Sequence, residues 1–83
     1  MKAKNKELSY TTSKGVFVSV VLEGCVVTIS SRGINKKFEI VKSDDIATAW
    51  DRIQQISKNE KMNQQDILFE IDELVDCKPI HLA

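Results

Sequence analysis

Glycine stands at positions 15, 24 and 33, and each separates two stretches in which apolar and polar side chains alternate. A run with an apolar residue at every second position can bury one face of a β-strand, but not one side of a helix. Glycines nine residues apart between such runs are therefore the turns of a strand meander. None of them precedes a helix, as a phosphate-cradling loop would require.

The turns fix registers. A two-residue turn at Glu23-Gly24 pairs Leu22 with Cys25, Val20 with Val27 and Val18 with Ile29. A tight turn at Arg32-Gly33 pairs Val27 with Phe38 and Cys25 with Ile40. A three-residue loop, Ser13-Lys14-Gly15, pairs Tyr10 with Val18 and Leu8 with Val20. All three predict one shared apolar face: Leu8, Tyr10, Val18, Val20, Leu22, Cys25, Val27, Ile29, Phe38 and Ile40. The second face takes Ser9, Thr11, Phe17, Ser19, Val21, Val26, Thr28, Ser30, Lys37, Glu39 and Val41, with Val21 opposite Val26. Its apolar centre has a hydroxyl-rich surround, whereas a solvated sheet face is usually more uniformly polar.

Past Lys42 the period becomes helical. Ser43 is the expected N-cap of a first helix, with Asp44 and Asp45 suited to its positive end. Ile46, Ala49, Trp50, Ile53 and Ile56 form its apolar stripe, which ends at Lys58-Asn59. Asn63 and Asp66 resemble a capping box, and Met62 with Ile67 a hydrophobic staple, at the start of a second helix. Its stripe is Ile67, Leu68, Ile71, Leu74 and Val75. Pro79 ends any helix, so residues 78–83 are expected as an extended tail.

A sheet with one apolar face needs a cover, and two striped helices need a partner. The predicted fold is α+β: a four-stranded antiparallel β-meander covered on one face by two C-terminal helices, in the order ββββαα. Residues 1–83 read as a single domain, with residues 1–6 a flexible basic arm. Leu22, Cys25, Val27, Ile40, Trp50, Ile53 and Ile71 are expected in one core.

Charge follows the same division. Residues 1–42 hold eight Lys/Arg and three Glu, a balance of +5, while residues 43–83 hold four Lys/Arg and nine Asp/Glu, a balance of −5. The 42% hydrophobic content is too high for a disordered chain. No apolar run approaches the ~20 residues of a membrane helix. The basic N-terminus is followed by no apolar signal core, so the expected location is cytoplasmic. Cys25 and Cys77 are expected to be reduced and packed as small apolar residues.

No catalytic residue, cofactor or metal site is expected. His81 is the only histidine, and Pro79 interrupts its spacing with Cys77, where a structural zinc site would want four ligands. Asp44, Asp45, Asp72 and Glu73 are accounted for by helix dipoles and a solvated helix face. Trp50 belongs to a core stripe.

The functional expectation is a small non-enzymatic binding module acting by protein–protein contact, either as a homodimer or with another protein. Phe17, Val21 and Val26 would form its contact, with Lys37 at the margin. The alternative is single-stranded nucleic-acid binding by the basic sheet half, with Lys14, Arg32, Lys36, Lys37 and Lys42 on phosphates and Phe17 stacked on a base. In element order alone, four strands followed by a helix resembles the positive-cofactor family of single-stranded DNA binders, which usually has one such helix; residues 14–56 are the region to compare. No membrane contact and no small-molecule substrate is indicated.

Overall fold

The structure is a computed structural model and describes residues 5–80. Five strands, β1 (Lys6–Thr11), β2 (Phe17–Glu23), β3 (Val26–Ser31), β4 (Ile34–Ile40) and β5 (Cys77–Ile80), form one antiparallel sheet in chain order. Helices α1 (Asp45–Gln55) and α2 (Gln64–Leu74) lie between β4 and β5 in the chain, and a wide π turn (Ile56–Glu60) extends α1. The α+β meander with helices following the strands is the predicted one. Among the described residues no helix is long and apolar enough to cross a membrane.

Two of the three predicted registers hold without change. Tyr10 pairs with Val18 and Leu8 with Val20. Thr12 N donates to Val16 O at 2.8 Å, and Gly15 N to Thr12 O at 2.9 Å, closing the three-residue loop. Val27 pairs with Phe38 across Arg32-Gly33, both in the left-handed region that a type I′ hairpin needs.

The middle turn is corrected. Its loop is Gly24-Cys25, so Leu22 pairs with Val27, Val20 with Ile29 and Val18 with Ser31. A two-residue hairpin wants a positive φ at its first position. Gly24 supplies it at φ 64° without strain, where Glu23 would carry a side-chain penalty. The slip is two residues, so every side chain keeps its face. Only Cys25 changes role: it sits half-buried in the turn instead of in the core.

The tail is also corrected. Residues 77–80 form β5 against β4, pairing Ile40 with Cys77 and Lys37 with Ile80. Val41 N donates to Asp76 O at 3.1 Å and leads the chain into this pairing. Pro79 has no N–H to donate, which an edge strand tolerates. Lys6 likewise belongs to β1, opposite Leu22. The remainder of the predicted arm and tail, residues 1–4 and 81–83, lies outside the described residues.

Helix α1 starts without a side-chain cap. Ser43 is not its N-cap. Asp45 N and Ile46 N donate to the Lys42 and Ser43 carbonyls, so the chain coils directly from β4 into the helix. The helical backbone runs to Glu60 and stops at Lys61, in the left-handed region at φ 50°. Helix α2 has its predicted cap: Asn63 Oδ1 accepts from Asp66 N at 2.9 Å. Leu74 leaves the predicted stripe and is exposed, because the helix ends there and extended Val75 takes the core position.

Val18, Val20, Leu22, Val27, Ile29, Phe38 and Ile40 on the sheet meet Ala49, Trp50, Ile53, Ile56, Ile67, Ile71 and Val75 in one core. Three contacts pin the start of α2 to the sheet. Gln64 Nε2 donates to Ile29 O at 2.6 Å and to Ile34 O at 3.0 Å, and the Tyr10 hydroxyl donates to Met62 O. Arg52 joins α1 to Glu60 at 2.8 Å and to Glu70 of α2 at 3.0 Å.

Two measurements check this packing. Val27→Ala should lower stability by roughly 1–3 kcal/mol in urea denaturation, through lost burial and a residual cavity. Tyr10 is the only tyrosine, and burial first, then the Asp66 charge, push its pKa from 10.0 to about 12. The folded chain therefore keeps a proton that the unfolded chain loses. The stability from this group is full below pH 10 and falls as pH rises from 10 towards about 12. Phenolate absorbance of the native protein should show the high midpoint, and unfolding in denaturant should return it to near 10. A native midpoint near the ordinary value would contradict the burial of Tyr10 beside Asp66.

Candidate functional site

The helices cover one face of the sheet, and alternation sends the other side chains to a bare face. The pairings arrange them in rows across the strands. At one end Thr11 pairs with Phe17. Next comes Ser9–Ser19–Ser30–Asn35, then Glu7–Val21–Thr28–Lys37–Ile80, then Glu23–Val26–Glu39–Lys78.

Phe17, Val21, Val26 and Lys37 all lie on this face, as the alternation predicts. Val21 and Val26 are not directly opposite. The two-residue slip pairs Val21 with Thr28 and Val26 with Glu23, which leaves the valines as diagonal neighbours about 7–8 Å apart. Phe17, at 59% exposure, stands four residues from Val21 along β2, or about 13 Å. The hydroxyl row separates it from the valines. Ile80 and Lys78 join the face with β5, and sequence reasoning missed both because Pro79 and a short segment gave no strand signal.

The cations of the alternative set divide between four places. Lys14 and Arg32, on neighbouring loop tips at one end of the sheet, line a shallow depression of about 420 Å³ with Phe17, Ser19 and Ser30, and also border a second depression with Glu60 and Asp66 on the helix side. Lys37 is in the middle of the open face. Lys36 pairs with Ile29 and so belongs to the helix side, where it lines a groove with Phe69 between α2 and the β4–β5 edge. Lys42 lies beyond the opposite end of β4. Phe69, 63% exposed on α2, was readable as an apolar residue off the helix stripe.

The cysteines flank Ile40. Ile40 N donates to Cys25 O on one side, and Ile40 pairs with Cys77 on the other. Two strand spacings, about 10 Å, separate their backbones, beyond the reach of a disulfide. Both are free thiols. A hydrogen bond to Glu39 Oε2 at 3.4 Å chiefly raises the Cys25 pKa. Burial, then the Asp72 carboxylate 3.6 Å away, pushes Cys77 up to about 11. Neither environment activates a nucleophile. Among the described residues no cluster of three or more His, Cys, Asp or Glu could hold a metal ion.

No protein-family model, curated protein or solved structure matches this chain.

Cys77 offers a direct check of this geometry. Moving its pKa from 9.0 to about 11 lowers the thiolate fraction at neutral pH roughly 100-fold. Alkylation by iodoacetamide, followed by peptide mass, should be far slower at Cys77 than at free cysteine and should accelerate as pH rises towards 11. A rate equal to that of free cysteine would mean that Cys77 does not pack against β4 and Asp72.

Proposed function

We propose that this chain is a small non-enzymatic binding module that works by protein–protein contact at the open face of its sheet. One observation carries the proposal: among the described residues no element lies over the second face of the five-stranded sheet, where Val21, Val26, Ile80 and Phe17 stand among hydroxyl groups. Apolar groups at the centre exclude water, and Ser, Thr and Asn can satisfy a partner's polar groups around them. The sheet edges are poorer docking sites. β1 opens with Lys6 and Glu7, and β5 has only four residues, among them Lys78 and Pro79. Charge, shortness and proline all oppose edge-to-edge pairing. A cytoplasmic location is part of this proposal, and two unpaired cysteines are compatible with it.

Single-stranded nucleic-acid binding is the second possibility, favoured by Lys14, Arg32 and Phe17 around one depression. It has less support. Glu7, Glu23 and Glu39 outnumber Lys37 and Lys78 in the far half of the same face, so a phosphate backbone crossing it would meet no continuous basic track.

A photo-reactive residue in place of Thr28, at the centre of the face, should form protein adducts in the source cell on irradiation. The same residue in place of Gln54, on the exposed side of α1, should form far fewer. Equal yields from both positions, or adducts to nucleic acid alone, would overturn the proposal. The purified chain should also bind a labelled single-stranded oligonucleotide no more tightly at low salt than at high salt.

A further inference from the structure

Resting on the protein-contact function above, we infer that the occupant of the open face is a second copy of this chain, stacked face to face about a two-fold axis that lies in the interface and runs across the strands.

The face has a charge polarity along the strands. One end carries the Lys14 and Arg32 tips beside Phe17. The other carries Glu23 and Glu39, with Val26 between them in the same row. A surface can meet its own copy face to face about either of two in-plane axes. An axis along the strands lays the Lys14/Arg32 end over itself and sets like charges together. An axis across the strands lays that end over the partner's Glu23/Glu39 end, and each pair occurs twice.

Lys78 does not spoil this match. Among the described residues β5 pairs only with the two rows at the acidic end, where Lys78 lies at the β5 edge, three strands from Glu23. Phe17, on β2, comes over the partner's Glu23 end of the same strand, with the partner's Val26 one strand to the side. The hydroxyl row of each copy meets the Val21–Thr28–Lys37 row of the other. Two antiparallel sheets stacked in this way resemble the two layers of an aligned sandwich.

Size sets the strength. Strands about 4.8 Å apart with a rise of about 3.3 Å per residue give a flat footprint of roughly 400–500 Å² per copy. That is below the ~800 Å² per partner of a standard interface, so the dimer should be weak and concentration-dependent.

The test is analytical ultracentrifugation of the full chain from about 10 to about 500 µM, the range in which such an interface should titrate. Wild type should pass from monomer to dimer. Lys14→Glu and Glu23→Lys should each weaken the dimer by at least about tenfold, because each sets like charges together twice. Both side chains are exposed and make no ion pair among the described residues, so circular dichroism should be unchanged. Mixing the two variants should restore dimer, since both contacts of the mixed pair are again of opposite charge. Failure to restore it, or single variants that dimerise like wild type, would overturn the across-strand arrangement. A wild type that stays monomeric throughout would overturn self-association. If Thr28 adducts to other proteins were still found, the binding function would stand without it. Absence of those adducts as well would remove both.

Discussion

Val18, Val20, Leu22, Val27 and Ile29 are each at most 2% exposed, and all lie on the same side of the sheet. That one-sided burial governs everything else. Each such side chain contributes on the order of 1.5–3 kcal/mol only if something covers it. Among the described residues the cover comes from α1, the π turn after it, and α2 with Val75 at its end. Ala49, Trp50, Ile53, Ile56, Ile67, Ile71 and Val75 all turn to that one side, and among the described residues no helix lies over the second face. Half-buried Val21 and Val26 and exposed Phe17 are left on the side the helices do not take.

The hairpin glycines made the sheet legible because each turn specifies a register and each register must agree with the next. Such agreement protects the face more than the pairing. At Gly24 the loop moved by one residue and the register by two, every inward residue stayed inward, and only the turn residue Cys25 lost its core place. Helix α2 was readable from Asn63 because a capped start combines several local signals within a few residues. The start of α1 was not, since the backbone coils from Lys42 and Ser43 and leaves the Ser43 side chain without a capping role.

β5 was unreadable for a different reason. Residues 77–80 carry a proline and no alternation, and nothing local makes them a strand. They become one because β4 presents free backbone groups beside the end of α2 and Val41 N meets Asp76 O. A strand induced by its neighbour has no sequence signature of its own. It adds Ile80 and Lys78 to the candidate surface, so the part of that surface hardest to read was the part supplied by tertiary pairing.

Charge shows the same limit from another side. The +5 of residues 1–42 suggests a basic sheet, yet the three Glu of that half, Glu7, Glu23 and Glu39, all stand on the open face. Several of its cations do not: Lys6 and Lys36 pair with Leu22 and Ile29 and so belong to the helix side. A net balance summed along a chain therefore says little about a surface made of every second residue. What matters for a partner is the field over one face, and here it runs from Lys14 and Arg32 to Glu23 and Glu39 over roughly 20 Å. A uniformly basic sheet would favour a polyanion. A face with opposite ends favours a surface of reversed polarity, and the same face turned end for end is the simplest such surface.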